Sequence, residues 1–204
     1  MRLEKPFSNE VTGYIPKVTK RLFFGIRPAP EILRELLARQ QVFRESNCLK
    51  IHENHCRWIS RDAIHMTLHF LGSIDPLQET LMRQSLAVMP WTPRCTQRLD
   101  HVVAFPSKTG ATTAGLGGLN GPLEALTMRM RPALLSAGLT LDDRRFYPHV
   151  TLVRFQTPIP LVEPLPVFPL LDWMVDRVAL FQSHPTASGS RYEILEEFPL
   201  APVS

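Results

Sequence analysis

A short motif occurs twice in the chain and constrains its fold more than any other feature. The segment HMTL at residues 65–68 recurs as HVTL at residues 149–152, 84 residues later. With seven His in 204 residues, the composition predicts roughly 0.07 chance occurrences of His-x-Thr-Leu per chain. Each copy lies on a predicted strand with a helix nearby. The repeat therefore indicates two related strand-containing units.

Strand geometry predicts which residues of the motif share a face. Alternate residues of a strand point to the same side, so His65 and Thr67 lie on one face of the first copy, as His149 and Thr151 do in the second. The predicted core-facing residues are Met66, Leu68, Phe70, Val150 and Leu152. Two such strands around a pseudo-twofold axis would present two imidazoles and two hydroxyls to one cleft. Strict alternation puts Arg154 on the core side, so it joins the cleft only if its strand twists, bulges or ends.

Two opposed imidazoles suit an in-line displacement at phosphorus. One His removes a proton from the nucleophile and the other protonates the leaving oxygen, which an ordinary pKa near 6.5 allows around neutral pH. Threonine hydroxyls and an arginine then bind the non-bridging phosphoryl oxygens. This chemistry needs no metal.

Composition places the chain among ordinary globular proteins. It is 44% hydrophobic and 21% charged with a net charge of +4, and its cationic residues are mostly arginine, which mildly favours an anionic ligand. Three cysteines are too few and odd in number for a disulfide framework, so we expect a cytoplasmic protein. The sequence contains no apolar run of signal-peptide or membrane-spanning length, so we expect no membrane partner.

The order of predicted elements indicates a mixed α+β class. Residues 1–19 are expected to be an N-terminal extension and residues 20–204 a single domain. Hydrophobic periodicity, Pro and Gly predict helices over 30–44, 76–88 and 122–138. The same signals predict strands over 22–26, 63–71, 97–105, 148–155, 173–182 and 191–198. Residues 48–60 are expected to be irregular, and the Gly-rich stretch 106–121 gives no clear signal.

The paired motifs resemble those of the 2H phosphoesterase superfamily, and within it those of the RNA 2′,3′-cyclic phosphodiesterases, also called 2′-5′ RNA ligases of the LigT type. The flanking segments are similar as well, and together they cover most of residues 21–200. They are RLFFGI, RWISRDAIHMTLHFLG, RRFYPHVTLVRF and VDRVALFQSHPTASGSRYEILEEFPL. The N-terminal extension departs from the family pattern, and ATTAGLGGLNG stands where relatives have a more hydrophobic strand.

The resemblance implies a fold, a reaction and a set of roles. The fold would be two pseudo-symmetric lobes, each an antiparallel sheet with outer helices, around a central cleft. His65 would donate a proton to the leaving ribose oxygen, His149 would accept a proton from water, and Thr67, Thr151 and Arg154 would bind phosphate. The reaction would open a terminal 2′,3′-cyclic phosphate on RNA to a 2′-phosphomonoester without a metal or other cofactor.

Other functions and sites stay open at this point. The same site would suit 2′-5′-linked oligonucleotides or small cyclic nucleotides, 2′-5′ ligation is the reverse reaction, and the fold would also serve a non-catalytic RNA-binding module. We expect a monomer, because nothing suggests a coiled coil or an exposed apolar stripe.

The weaker site candidates are His69 as a third cleft residue, Cys48, His52, His55 and Cys56 as metal ligands, Gly110–Gly121 as a nucleotide loop, Phe146 and Tyr147 as base-stacking residues, and Arg144 and Arg145 as RNA contacts.

Overall fold

The computed structural model describes residues 19–49, 54–107, 110–119, 121–161, 164–187 and 189–202. The expected N-terminal extension lies almost entirely outside these ranges. Within them, the strands and α-helices follow the order β1 (Lys20–Ile26), α1 (Pro30–Glu45), β2 (Cys56–Trp58), β3 (Met66–Ile74), α2 (Pro76–Ala87), β4 (Cys95–Leu99), β5 (His101–Ser107), β6 (Gly110–Gly117), α3 (Pro122–Ser136), β7 (His149–Ile159), β8 (Leu171–Val175), β9 (Arg177–Thr186) and β10 (Gly189–Pro199). The expected α+β class is confirmed.

The helices begin where the sequence supplies N-terminal signals. Each has a proline in its first turn, at Pro30, Pro76 or Pro122, where the fixed φ and the missing N–H suit the helix start. Helix α2 also has a capping box, in which the Asp75 carboxylate accepts from the Gln78 backbone and the Gln78 side chain accepts from the Asp75 backbone. All three predicted helices are confirmed, with ends within two residues of those expected.

Eight strands form an antiparallel sheet made of two halves. Its order is β10-β9-β1-β3-β7-β6-β5, with β2 pairing with β7 beside this path. The halves meet at one residue pair, Met66 of β3 with Val150 of β7. These residues hold the same position in the two motifs, so their antiparallel pairing relates the motifs by a local twofold axis. The repeat thus lies at the centre of the fold.

The core lies on the side of the sheet that carries α2 and α3. Met66 and Val150 are both 0% exposed and belong to a buried cluster that includes Leu86 of α2 and Leu126 of α3. Burying this apolar surface fixes which face of each motif strand points inward. The opposite face carries the polar side chains of both motifs.

Two strands that the sequence predicted as continuous are each divided in two, because one part of each pairs in the small sheet of β4 and β8. The predicted strand over 97–105 is divided at Asp100 into β4 and β5, and the one over 173–182 is divided at Asp176 into β8 and β9. At each aspartate the chain passes from the two-stranded sheet to the eight-stranded sheet. Hydrophobic pattern alone does not distinguish one long strand from two that pair in different sheets.

Strands β2 and β6 lie where the sequence predicted irregular structure or gave no clear signal. Strand β2 has only three residues, and β6 is rich in Gly, Ala and Thr, of which Gly and Ala are depleted in strands. Among the helices in the described ranges, none combines the length and apolar character needed to cross a membrane.

Candidate active site

The two motifs lie side by side at the junction of the sheet halves. His65 immediately precedes β3 and His149 begins β7. Extending the Met66–Val150 register places His65 across from Thr151 and Thr67 across from His149. All four polar side chains are half-buried, on the face opposite the core. The structure therefore brings together the two predicted histidines and the two predicted threonines.

A β-bulge follows the threonine in each motif. On β3, Thr67 pairs with Gly25 and His69 pairs with Phe24, which leaves Leu68 without a partner position. On β7, Thr151 pairs with Gly115 and Val153 pairs with Ala114, which leaves Leu152 in the same situation. An extra residue in one strand shifts the alternation of all residues beyond it.

The bulge at Leu152 brings Arg154 to the cleft. Strict alternation would have turned it toward the core, whereas the structure leaves it half-buried with its charge near both imidazoles. The equivalent bulge at Leu68 moves Phe70 to the cleft face, where it is 59% exposed and lies 6.0 Å from Phe23 between ring centroids. The expectation that Phe70 faces the core was wrong, because the bulge had reversed the alternation.

Two glycines allow the bulged motif strands to pack closely. A Cβ atom at Gly115 would lie 1.9 Å from the carbonyl oxygen of Val150, and one at Gly25 would lie 2.8 Å from that of Met66. No side chain fits at such distances, so each motif strand has a glycine opposite its threonine. Neither glycine was among the predicted site residues, although a glycine inside an apolar strand signals a close backbone approach.

Backbone carbonyls fix the tautomer of both histidines. His65 Nδ1 donates to the oxygen of Ala63 at 2.7 Å, and His149 Nδ1 donates to the oxygen of Tyr147 at 2.8 Å. A carbonyl only accepts, so Nδ1 carries the proton and Nε2 of each neutral ring is left as an acceptor. His65 Nε2 lies 3.0 Å from Thr67 Oγ1, whose hydroxyl donates to it. Equivalent residues thus hold both rings in the same tautomer.

Aromatic rings pack against both imidazoles and shield them in part from water. His65 contacts Phe23 and Tyr192, with ring centroids 4.9 Å apart in both cases. His149 packs on Phe105 at 4.4 Å. These contacts leave the charged form of each histidine poorly solvated.

The electrostatic environment favours neutral imidazoles. The pKa of His65 is lowered from 6.5 to about 4, mainly by burial, and the positive charges of Arg154 and His149 lower it further, while the hydrogen bond to Ala63 opposes this shift. Burial and the charge of Arg154 also lower the pKa of His149. Both rings are therefore neutral at pH 7 in the empty site. A bound anion would offset the positive charge and raise both pKa values.

Helix α1 supports the second motif from behind. The Gln40 side chain donates to the carbonyl oxygens of Ile59 and Leu152, both at 2.9 Å. The Leu152 carbonyl belongs to the bulge, and it also accepts from the Ile59 backbone at 3.0 Å. Gln40 thus helps to hold the bulge that directs Arg154. A glutamine on an amphipathic helix gives no sequence signal for this role.

The weaker candidates lie elsewhere or have other partners. His69 of β3 pairs with core residue Phe24 of β1, and its Nε2 hydrogen-bonds to the Thr127 carbonyl of α3. It therefore does not share the face of His65. Arg144 and Arg145 form ion pairs with carboxylates of Asp142 and Glu124.

Of the other weak candidates, Phe146 packs against the main core and Tyr147 contacts Phe105 edge-on. His52 falls outside the described residues. Among those that are described, no group of three or more His, Cys, Asp or Glu is arranged to hold a metal. The Gly-rich stretch 110–121 contains β6, which pairs with β5 and β7.

A sequence profile of the 2′-5′ RNA ligase superfamily matches residues 29–186, a range that contains both motifs and more than three quarters of the chain. The chain belongs to the 2′-5′ RNA ligase superfamily. The family resemblance inferred from the sequence is therefore confirmed.

A curated relative and two solved structures are similar to the chain over nearly its full length. The RNA 2′,3′-cyclic phosphodiesterase of Bacillus subtilis (strain 168) is 24% identical over 196 residues, which cover 92% of this chain and 100% of that protein. A crystal structure from Thermus thermophilus matches with a TM-score of 0.73 at 24% identity, covering 89% of this chain and 98% of the other. Escherichia coli LigT, crystallised with 3′-AMP, gives a TM-score of 0.71 at 24% identity over 90% and 99% of the two chains. The expected LigT-like fold is confirmed.

Proposed function

We propose that this protein hydrolyses RNA 2′,3′-cyclic phosphate ends to 2′-phosphomonoesters by acid/base catalysis with His65 and His149. The observation that carries the proposal is the pair of imidazoles, held in the same tautomer by equivalent carbonyls at 2.7 and 2.8 Å. Membership of the superfamily supports it, as does the similarity to the Bacillus subtilis RNA 2′,3′-cyclic phosphodiesterase. The roles of the two histidines follow the family resemblance.

In the proposed reaction, water attacks the phosphorus of the cyclic phosphate in line with the 3′ oxygen. His149 Nε2 takes a proton from the water as the new P–O bond forms. The bond from phosphorus to the 3′ oxygen breaks, and His65 Nε2 gives that oxygen its proton. The product has a 2′-phosphate and a free 3′ hydroxyl, and proton exchange with solvent restores the two histidines.

Thr67, Thr151 and Arg154 would stabilise the phosphoryl group during this step. The negative charge on the non-bridging oxygens grows as water adds, so hydrogen-bond donors placed at the group lower the barrier. The Thr67 hydroxyl donates to His65 Nε2 in the empty site and would turn to a phosphoryl oxygen once that nitrogen is protonated. Arg154 supplies the strongest interaction, because a guanidinium binds phosphoryl oxygens with two parallel hydrogen bonds. The bulge at Leu152 supports this role, since it turns Arg154 to the face of the two histidines.

The low pKa of His65 gives the mechanism a specific requirement. With a pKa of about 4, His65 carries no Nε2 proton at pH 7 in the empty site and has no proton to donate there. The phosphodiester anion would raise this pKa by partly neutralising Arg154. The substrate would then bring its own general acid into the charged form, and the reaction also requires His149 to stay neutral so that it can accept a proton from water.

The test uses an RNA oligonucleotide with a terminal 2′,3′-cyclic phosphate, in EDTA, with the product isomer identified. Wild type should form the 2′-phosphate, and His65→Ala and His149→Ala should each lower turnover by about 10²- to 10⁴-fold. His55→Ala, which removes an exposed histidine, is the matched control and should keep wild-type activity. Full activity of either folded site variant, or a 3′-phosphate product, would overturn the proposal.

A further inference from the structure

A positively charged cavity adjoins His65 on the cleft face. Its volume is about 850 Å³, and its lining includes Arg21, Arg57, Arg154 and Arg191 from four different strands. The lining includes one carboxylate among the described residues, that of Asp62. The cavity therefore has a clear excess of positive charge.

These four arginines differ from the ion-paired arginines of the described residues. Seven others form ion pairs with nearby carboxylates, and they are Arg39, Arg83, Arg98, Arg131, Arg144, Arg145 and Arg177. None of the cavity arginines has such a carboxylate partner within the described ranges. Their guanidinium groups are available to an anionic ligand.

Two of the cavity arginines lie where their positive charges repel each other. Arg57 of β2 and Arg154 of β7 lie directly across from each other in the sheet. Like charges at opposed positions of an antiparallel pair destabilise it. A bound anion between them reduces that repulsion, so the pairing favours an anionic ligand.

The cavity is continuous with the candidate site and is lined by strands of both sheet halves. Tyr192 lines the cavity and also contacts the His65 ring. At the tip of the β9–β10 hairpin, a Cβ at Gly189 would lie 3.9 Å from the Arg57 guanidinium. The hairpin of one sheet half therefore reaches the edge strand of the other, and together they form a channel that leads away from His65.

The chemistry of the leaving group decides what would occupy this channel. When a terminal 2′,3′-cyclic phosphate opens, the leaving 3′ oxygen stays on the ribose that carries the whole RNA chain. The chain must therefore extend on the side of the general acid, which is assigned to His65, while water approaches from the side of His149. The arginine cavity lies on the His65 side.

We propose that Arg21, Arg57 and Arg191 bind the backbone phosphates of the nucleotides that precede the cyclic end. The protein would thereby act on RNA oligonucleotides in preference to a mononucleoside 2′,3′-cyclic phosphate. This inference rests on the proposed function and adds the direction of the bound strand. Several exposed arginines along a groove are suited to a single-stranded backbone, whose recognition is electrostatic and sensitive to salt.

The test compares kcat/KM for a six-nucleotide RNA ending in a 2′,3′-cyclic phosphate with that for the mononucleoside 2′,3′-cyclic phosphate. Wild type should prefer the oligonucleotide by at least about tenfold. Arg21→Gln and Arg191→Gln should each lower the oligonucleotide value by about three- to tenfold through KM. Each should change the mononucleoside value less than twofold. For the oligonucleotide, each substitution should also make the slope of log kcat/KM against log salt concentration less steep by about 0.7.

Arg34→Gln is the matched control, because Arg34 is exposed on α1 and does not line the cavity. It should leave both substrates and the salt dependence unchanged, and melting curves should show that all variants fold. Equal use of both substrates by wild type, or equal losses on both in the variants, would overturn the inference and leave the proposed function standing. Failure of wild type to turn over either substrate would instead contradict the proposed function itself.

Discussion

Replacing Gly115 with alanine tests whether the close packing of β6 against the second motif positions the site. The added Cβ would lie 1.9 Å from the Val150 oxygen, 2.9 Å from the Val150 carbonyl carbon and 3.0 Å from the Thr151 Cα. All three contacts are with backbone atoms, so no side-chain rotation relieves them. Strand β7 must therefore move away from β6 by at least about 1.1 Å for the closest contact to reach 3.0 Å.

The size of that movement sets the expected effects. Overpacking of this kind costs about 1–3 kcal/mol, which at about 2–4 °C per kcal/mol lowers the melting temperature by roughly 2–12 °C. His149 and Thr151 lie on the strand that moves, and a misplacement of about 1 Å costs on the order of 10²-fold in rate. We therefore expect Gly115→Ala to fold and to lose about 100-fold in kcat/KM.

The assay measures kcat/KM on the cyclic-phosphate RNA together with thermal melting, in a graded series of glycine variants. Gly25→Ala should have a smaller effect, because its Cβ would lie 2.8 Å from the Met66 oxygen and needs a shift of only about 0.2 Å. Gly121→Ala is the control, since nothing lies within 4 Å of its Cβ position. Wild-type activity and melting temperature in Gly115→Ala would refute the argument that this contact positions the motif.

Other predictions concern the charges of the site and its support. The pH profile of kcat/KM should have its maximum below pH 6.5, because the pKa values of His65 and His149 are both lowered in the free protein, and a maximum above pH 7 would contradict this. Sulfate binding at pH 6 should be accompanied by proton uptake, since an anion raises the pKa of both histidines. Calorimetry in two buffers of different ionisation enthalpy measures this uptake, and proton release would contradict the predicted rise in pKa. Arg154→Gln should lower kcat by about 10²- to 10³-fold. It should also move the kcat/KM maximum to higher pH, because the charge of Arg154 lowers the pKa of both histidines. An unchanged pH profile would show that Arg154 acts only structurally. Gln40→Met should lower the free energy of unfolding by about 1–3 kcal/mol, because the half-buried Ile59 carbonyl loses its hydrogen bond to Gln40. Unchanged denaturation by urea would show that this hydrogen bond is dispensable.

The parts of the structure that the sequence predicted well depend on local signals. The three helices carry prolines in their first turns, and α2 adds the capping box of Asp75 and Gln78. The repeated motif located both candidate histidines, because its residues are few, specific and adjacent in sequence. The alternation around Met66 and Val150 held up to the first bulge, and it correctly placed both residues in the core.

The parts that the sequence did not predict depend on partners far away in the chain. Strand β6 has weak intrinsic strand preference and exists because it pairs with β5 and β7. The bulges at Leu68 and Leu152 leave no mark in the hydrophobic pattern, since both residues are buried as alternation predicts. Their effect appears only beyond them, where Phe70 and Arg154 turn to the cleft. Register is set by the neighbouring strand, and a single sequence does not reveal it.

The division of proton transfers between the two histidines is tested most directly by pH–rate profiles of kcat/KM for wild type, His65→Ala and His149→Ala on the same cyclic-phosphate RNA. A general acid must be protonated, so its removal should abolish the fall in rate at high pH; removal of the base should abolish the fall at low pH. We expect a bell-shaped profile for wild type, only the low-pH fall for His65→Ala and only the high-pH fall for His149→Ala. Complete bells in both variants would contradict catalysis by this pair, and exchanged limbs would reverse the two roles.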